Sequence, residues 1–329
     1  QFVPGGPVEQ IIAQMEGGGD VFEAFAGGGA DVETQTTSVS DNYVGARGLP
    51  PEFIAELEKE FGFDKPPLER FLNMLWNYIR FDFGTSYFRS ISVIDLILEK
   101  MPVSITLGLW STLIAYLVSI PLGIRKAVKD GSNFDTWTSV GIIFAYAIPG
   151  FLFAILLLVL FAGGSYWQIF PLRGLTSDNW DQLSLLGKIG DYFWHIALPV
   201  LASTISAFAT LTLLTKNSFL DEIKKQYVIT AKAKGLSESR VLLRHALKNA
   251  FIPVATTLGP LLAGVLTGTF IIEQIFALDG LGRQFVQSVG NREYFLLTSI
   301  TLIYALILVV GNLMVDILYV WLDPRIRYD

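Results

Sequence analysis

The stretch that decides the fold runs from Thr136 to Gly163 and reads TWTSVGIIFAYAIPGFLFAILLLVLFAG, without a single Asp, Glu, Lys or Arg. A helix that crosses the hydrocarbon core of a bilayer needs about 20 consecutive apolar residues, so this stretch is typical of a transmembrane helix. Four more stretches share that character, and they are Ser104–Ile124, Phe193–Thr215, Phe251–Ile272 and Phe295–Leu322. Their only ionisable residues of the Asp, Glu, Lys, Arg or His type are His195 and Asp316. The sequence therefore predicts an all-α polytopic membrane protein with five transmembrane helices.

The composition points to the same class of protein and excludes several kinds of site. The chain has 329 residues, of which 52% are hydrophobic and 16% are charged, whereas soluble proteins average about 25% charged residues. The absence of cysteine excludes disulfide frameworks, thiolate metal sites and cysteine nucleophiles. Two histidines, His195 and His245, are too few for a histidine-rich metal centre. We expect neither a metal site nor a bound cofactor in this chain.

The distribution of Lys and Arg predicts the orientation. Thirteen of them lie in three connecting segments, Arg125–Asp135, Lys216–Ala250 and Asp323–Asp329. Only four lie in the two alternate segments, Gly163–Tyr192 and Glu273–Tyr294. Because cytoplasmic loops are enriched in Lys and Arg, the first set is predicted to be cytoplasmic, with the C-terminus inside. Residues 1–103 are then a periplasmic region, and residues 104–329 form the transmembrane domain.

The periplasmic region is acidic, with 16 Asp and Glu against 7 Lys and Arg, and it contains a Gly-rich loop over residues 15–47. An external region without an export signal is unexplained unless a transmembrane helix precedes it. We therefore expect a first helix before Gln1 and six spans in the parent protein. Two amphipathic helices follow the loop, and their apolar residues are Phe53, Ile54, Leu57 and Phe61, then Leu68, Phe71, Leu72, Leu75, Trp76 and Ile79. Such helices lie on a membrane surface or pack on the spans, and we favour packing.

Motifs for catalysis are absent from the sequence. The Gly187-Lys188 pair is followed by Ile189, so the chain has no phosphate-binding loop for ATP. No H-E-x-x-H or G-x-S-x-G occurs, and Asp316 has no second intramembrane aspartate with which to form a protease dyad. The basic cluster is confined to one short loop, so nucleic-acid binding is not expected. The sequence favours a membrane subunit without catalysis of its own.

The most informative segment is the basic loop Lys216–Ala250, which holds 8 of the 24 Lys and Arg. The positive charge of the loop is explained by a cytoplasmic location alone, but the order of the residues within the loop is not. Residues Val228–Lys234 have helical character, Gly235 ends that helix, and Ser237 is a suitable N-cap for a second one. A helix–turn–helix between two spans is a short rigid projection, which is able to transmit force to another protein.

Several further segments carry a family resemblance together with this loop. They are YVITAKAKGL (Tyr227–Leu236), RHALKNA (Arg244–Ala250) with Pro253, FDFGTS (Phe81–Ser86), GLGR (Gly280–Arg283), NREY (Asn291–Tyr294) and DPRI (Asp323–Ile326). The chain resembles the permease subunits of peptide-type ATP-binding-cassette (ABC) importers. The segments at residues 102–113 and 215–222 are most similar to the YejB-like subgroup, which imports oligopeptides and the antibiotic microcin C. The chain departs from the family's loop at Ile229, where a Glu is usual, and at Lys248, where a proline is usual.

The resemblance implies a type I ABC importer that works by alternating access. This subunit would pair with a second permease subunit, two ATPase subunits would bind ATP and Mg below them, and a periplasmic substrate-binding protein would deliver the peptide. Residues 231–237 would contact the ATPase, where small side chains allow close approach. The implied coupling residues are Tyr227, Thr230, Ala231, Lys232, Ala233, Lys234, Gly235, Leu236 and Ser237. Importers of dipeptides, nickel or oligosaccharides are the alternative, and an ion-driven secondary transporter is a more distant one.

Three residues within the predicted spans are candidates for the pathway or its gating. Asp316 is an acid deep in a span, where charges are costly and are commonly functional. It is equally well explained by its closeness to the cytoplasmic end, where it would reach water or Arg325. Asn312 lies one turn earlier on the same face and is a candidate hydrogen-bond partner. Pro149, followed by Gly150, is expected to kink its helix.

Overall fold

The computed structural model describes residues 65–86, 89, 91–163, 166–259 and 270–322. These residues are nearly all helical, with one isolated bridge between Thr85 and Ser92, so the all-α prediction is confirmed for them. The Gly-rich loop, the first amphipathic helix and the C-terminal DPRI motif lie outside the described residues. The chain divides into two compact units. One holds the described residues before Lys100 with Gln284–Leu302, and the other holds Lys100–Arg283 with the described residues from Ile303 onward.

The helices are numbered here in chain order through the described residues. They are α1 (Pro67–Ile79), α2 (Val93–Val128), α3 (Asn133–Ala147), α4 (Gly150–Phe161), α5 (Leu185–Ile223), α6 (Gln226–Ala233), α7 (Glu238–Val241), α8 (Leu247–Ala255), α9 (Phe270–Ile275), α10 (Leu281–Gly290) and α11 (Tyr294–Leu322). A 3-10 turn over Trp180–Gln182 precedes α5, and a π-helical turn over Leu242–Ala246 joins α7 to α8.

Helices α2 and α11 are each long and apolar enough to cross a membrane alone. Helix α2 has 36 residues, and it therefore extends beyond the predicted span Ser104–Ile124 at both ends. The additional turns carry charged residues, including Asp95 near the start and Arg125 and Lys126 in the last turn. Helix α11 matches the predicted span Phe295–Leu322 to within one residue.

The predicted span Thr136–Gly163 is broken rather than continuous. Helices α3 and α4 meet at an angle of 91°. Ile148 has φ −85° and ψ 118°, and Pro149 has φ −55° and ψ 132°, so neither residue is helical. A proline disfavours the helical conformation in the residue before it, which explains why α3 ends at Ala147. The kink predicted at Pro149 is confirmed, and the predicted span corresponds to a bent pair of helices instead of one straight helix.

The two remaining predicted spans differ in how much of each the structure describes. Span Phe193–Thr215 lies within α5, which bends by 49° between Ile205 and Ala207. Span Phe251–Ile272 is described only at its ends, in α8 and in the start of α9, since residues 260–269 lie outside the described part. The described residues thus contain two spanning helices, or four spans if each bent pair counts as one.

The apolar core of the larger unit joins helices that are distant in the sequence. One cluster of buried residues brings together Leu107 of α2, Leu157 of α4, Ile196 of α5 and Phe276 just after α9. A second cluster, which involves Ala127 near the end of α2, lies under the basic loop. These clusters fix the positions from which the loop and its flanking residues project.

Candidate functional site

The basic loop folds as the helix–turn–helix that the sequence predicts. Helix α6 covers Gln226–Ala233, Gly235 adopts φ 79°, and α7 begins at Glu238. A residue with a Cβ pays about 1–2 kcal/mol in this left-handed region, which glycine occupies freely. Gly235 is therefore required by the backbone of the turn, and a Cβ there would meet no atom within 4 Å.

Ser237 occupies the predicted N-cap position but does not cap α7 with its side chain. Its backbone is extended, with φ −60° and ψ 146°, and its side chain makes no capping hydrogen bond. The Ser237 carbonyl instead accepts the Val241 amide at 3.0 Å. The predicted position is confirmed, and the predicted role of the hydroxyl as the cap is wrong.

The inner side of the helix–turn–helix is an apolar cluster. Its fully buried members come from α2, α5, α6, α7, the π-turn and α8, and they are Ala127, Phe219, Val228, Ala231, Val241, Ala246 and Ala250. Ala231 is only 6% exposed because it packs into this cluster. Ala231 therefore lies on the inner side of the helix–turn–helix, apart from the other predicted coupling residues. Its small side chain lets α6 pack closely against the other helices of the cluster.

The outer side consists of the other predicted coupling residues together with Ile229, and it carries the cations Lys232 and Lys234. The exposed side chains of α6 and its turn are Tyr227, Ile229, Thr230, Lys232, Ala233, Lys234 and Ser237, whereas Leu236 is half-buried. Ile229, at the position of the family's usual Glu, is 50% exposed. Thus the helix–turn–helix presents small, apolar and cationic groups outward from a packed apolar base.

A hydrogen-bonded group of four residues, here named the Glu222 clamp, ties α6 to both flanking helices. It consists of Glu222 at the end of α5, Lys225, Tyr227 and Asn249 of α8. The Tyr227 hydroxyl and the Asn249 amide, at 3.0 Å, both donate to Glu222 Oε1, and Lys225 Nζ lies 2.6 Å from Oε2. Asn249 also donates to the Tyr227 hydroxyl oxygen at 3.1 Å. Glu222 is 5% exposed, so these donors replace the water that it has lost.

The protonation state of Tyr227 suits its place in the clamp. Burial of the hydroxyl and its hydrogen bond to Glu222 raise the pKa of Tyr227 to about 12. The hydroxyl consequently stays protonated and keeps donating to the carboxylate throughout the physiological pH range.

The clamp makes a testable contribution to stability. We expect Glu222→Gln to lower the free energy of unfolding by about 1–3 kcal/mol, because the amide cannot replace a buried, charge-assisted acceptor for two donors. The matched control is Asp221→Asn, the same chemical change at the exposed neighbouring position, and it should stay within about 0.5 kcal/mol. Thermal unfolding of both variants measures the difference, and equal midpoints would show that the clamp contributes nothing.

Four charged side chains near the same end of α2, here named the ion cluster, form the second polar feature. Lys126 is completely buried, and its Nζ lies 2.9 Å from Asp135 Oδ1 and 2.8 Å from the hydroxyls of Thr138 and Ser139. Lys216 Nζ lies 2.7 Å from Asp135 Oδ2 and 2.9 Å from Asp130 Oδ1. The cluster has two positive and two negative charges, and it joins the ends of α2, α3 and α5.

The comparison with known proteins decides the family. Residues 119–328 match the family described as "Binding-protein-dependent transport system inner membrane component". The chain belongs to this family. Helices α3–α11 lie within the matched range, so the basic loop and the ion cluster are parts of a binding-protein-dependent permease. The chain is accordingly an inner-membrane component of a transport system, as the sequence predicts.

Three relatives of this permease cover most or all of its length. It is 57% identical to the "Peptidoglycan transport system permease protein YejB" of Agrobacterium fabrum, over 100% of this chain and 92% of the relative. It is 53% identical to the "Inner membrane ABC transporter permease protein YejB" of Escherichia coli O157:H7, with the same coverage. It is 36% identical to the "Oligopeptide transport system permease protein AppB" of Bacillus subtilis, over 82% and 84%. The predicted resemblance to YejB-like permeases is confirmed.

The GLGR motif of the permease encloses a buried carboxylate, that of Glu273 in α9. Ser104 of α2 donates its hydroxyl to Glu273 Oε1 at 2.7 Å, and the Arg283 amide donates to Oε2 at 2.7 Å. The Leu281 amide donates in turn to the Ser104 hydroxyl at 2.8 Å. A Cβ on Gly280 would lie 2.6 Å from the Glu273 carboxyl carbon, which explains the glycine. The motif thus supplies a hydrogen bond to a buried carboxylate, and the small Gly280 makes room for it.

The pathway candidates occupy separate positions in the structure. Pro149 lies at the break between α3 and α4, and Asp316 is half-buried in α11. Asn312 packs against Gly259, where a Cβ would lie 2.3 Å from Asn312 Oδ1. This close approach assigns Asn312 a packing role between α11 and the chain after α8. Arg325, the suggested partner of Asp316, lies outside the described residues.

Proposed function

We propose that this chain is one of two permease subunits of an ATP-driven peptide importer, and that the basic loop couples it to the ATPase subunits. The observation that carries the proposal is the packed helix–turn–helix with an exposed outer side that carries Lys232 and Lys234. Its inner side is packed against the ends of α2 and α5. A push on α6 is therefore passed directly to two helices that enter the bilayer.

The Glu222 clamp and the ion cluster support the proposal that movement of α6 is transmitted to the neighbouring helices. Glu222 joins α5, α6 and α8 through two partly buried hydrogen bonds. Lys216 joins α5 to Asp135 of α3. Packed helices linked by such bonds shift together rather than deform, and rigid-body shifts of this kind are a common basis of alternating access. ATP and Mg would be bound by the partner ATPase subunits.

The proposed orientation places the loop in the cytoplasm and residues 1–103 in the periplasm. Near one end of α2, Lys126 and Ala127 contact residues of the two most basic connecting segments. Near the other end, Ser104 contacts the segment after α9, which is poor in Lys and Arg. At 1.5 Å per residue Ser104 and Lys126 lie about 33 Å apart, close to the roughly 30 Å of a hydrocarbon core. The basic end then faces the cytoplasm.

The substrate proposed is an oligopeptide. The names of the relatives describe oligopeptide transport or peptidoglycan transport. Peptidoglycan carries short peptide stems, so peptide is the chemistry common to both names. A periplasmic binding protein would deliver the peptide, as the family's description indicates.

Reconstitution of the complete complex tests the proposal. The permease, its second permease subunit, the ATPase subunits and the binding protein are placed in vesicles with a labelled oligopeptide. We expect uptake that requires ATP and the binding protein together. Uptake driven by an ion gradient without ATP would instead support a secondary transporter. Uptake of a nickel complex or an oligosaccharide in place of the peptide would contradict the proposal that the substrate is an oligopeptide.

A further inference from the structure

Helix α1 presents three different sides. Its half-buried residues form one stripe at a spacing of four, Arg70, Met74 and Tyr78. Its large exposed apolar residues form a second side, and they are Leu68, Phe71, Leu72, Leu75, Trp76 and Ile79. Its exposed polar residues form the third, and they are Glu69, Asn73 and Asn77. On sequence grounds we favour packing of the apolar side on the spans, whereas none of the 13 residues of α1 is buried among the described residues.

The exposure of the apolar side is substantial. Leu68 is 70% exposed, Leu72 55% and Ile79 69%. Contiguous apolar surface of this kind marks a contact with a partner or a membrane. The side ends at Arg80, whose guanidinium carbon lies 4.4 Å from the centre of the Trp76 ring. Trp and Arg together at the edge of an apolar face are typical of helices at a membrane–water boundary.

The half-buried stripe fixes the depth of α1 relative to the bilayer. The Tyr78 hydroxyl is hydrogen-bonded to the Thr298 hydroxyl in the second turn of α11. Helix α11 has 29 residues and is thus about 44 Å long, some 14 Å more than the hydrocarbon core. If that excess is shared equally between both ends, about 7 Å of α11 extends beyond the hydrocarbon core at each end. Thr298 lies about 6 Å from the start of the helix, and it is therefore near the boundary between the hydrocarbon core and the headgroups.

We propose that α1 is an interfacial helix whose apolar side binds the lipid surface beside the start of α11. The stripe of Arg70, Met74 and Tyr78 faces protein, the side of Leu72 and Trp76 faces lipid, and the side of Asn73 and Asn77 faces water. A helix held at headgroup depth has these three surroundings, and the three sides of α1 match them in chemistry. The lipid surface therefore accounts for all the exposed apolar residues of α1 at once.

Site-directed spin labelling tests this placement in the full complex. The chain contains no cysteine, so Leu72→Cys on the apolar side and Asn77→Cys on the polar side each provide a unique label. The complex, with partner subunits freed of reactive cysteines, is placed in nanodiscs of phosphatidylethanolamine and phosphatidylglycerol. Collision rates are then measured with oxygen, which partitions into lipid, and with a water-soluble nickel chelate.

The expected result is a clear contrast between the two labels. Because interfacial helices bury their apolar side about 5–10 Å deep, we expect the oxygen-to-nickel collision ratio to be about tenfold higher at Leu72→Cys than at Asn77→Cys. Equal, nickel-accessible labels would place the apolar side in water and overturn the proposal. A Leu72 label shielded from both reagents would show that protein covers it, either a partner subunit or another part of this chain. Leu75→Cys repeats the measurement on the same side if the first variant does not assemble.

Discussion

Replacement of Gly235 by valine is expected to lower ATP-driven peptide uptake by about 5- to 30-fold, with the protein still inserted in the membrane. The turn between α6 and α7 needs φ 79° at this position. A residue with a Cβ pays about 1–2 kcal/mol there, which corresponds to that factor in the equilibrium constant for forming the native turn. Since a Cβ would meet no neighbouring atom, the effect comes from backbone conformation and not from a clash inside the chain.

The matched control is Gly235→Asn. Asparagine tolerates the left-handed region better than other residues with a Cβ, so its uptake should stay within about twofold of the parent. The measurement is the number of peptides imported per ATP hydrolysed in vesicles. We expect that ratio to fall for the valine variant while hydrolysis continues. Unchanged uptake by the valine variant would contradict the coupling role of the turn, and an equal loss in both variants would contradict the conformational explanation.

Replacement of Lys126 by methionine is expected to destabilise the protein by about 3–5 kcal/mol, because it removes one of the two cations that pair with buried Asp135. The side chain of Lys126 is completely buried and contacts a carboxylate, a carbonyl and two hydroxyls. Methionine fills a similar volume, so the loss reports on charge and hydrogen bonding rather than on a cavity.

An exposed ion pair in the same chain provides the comparison. Lys65 and Glu69 lie 3.8 Å apart with side chains that are 48% and 54% exposed. Lys65→Met should therefore change stability by less than about 1 kcal/mol. The double variant Lys126→Met/Asp135→Asn should recover part of the loss, since Lys216 keeps Asp130 as its partner. Thermal unfolding in nanodiscs measures all three variants, and a Lys126→Met protein as stable as its parent would refute this account of the ion cluster.

The features that the sequence predicted correctly depend on local chemistry. The turn at Gly235 follows from a glycine between two helical patterns, and the break at Pro149 follows from the restriction that proline places on its neighbour. Span positions follow from hydropathy over windows of about 20 residues. Hydropathy carries no information about the direction of a helix axis, however, so it does not predict the 91° angle between α3 and α4.

The features that the sequence missed depend on contacts between distant residues. Asn249 and Glu222 are separated by 27 positions, Lys216 and Asp135 by 81, and Ser104 and Glu273 by 169. No periodicity links such pairs. The side of α6 that faces inward was likewise undetermined, because small residues occur both in close packing and on docking surfaces. Ala231 is such a residue, and only the structure shows that it faces inward.

The ion cluster also has a consequence for the order in which the protein is made. Lys126 and Asp135 are only nine positions apart, at the end of α2 and the start of α3, so both members of the pair are present once α3 has been synthesised. The most deeply buried charge of the cluster therefore does not need α5 for its partner. Lys216, which is synthesised later, adds a second cation to the other oxygen of the same carboxylate. The buried charge of α2 thus has its partner in the very next helix of the chain.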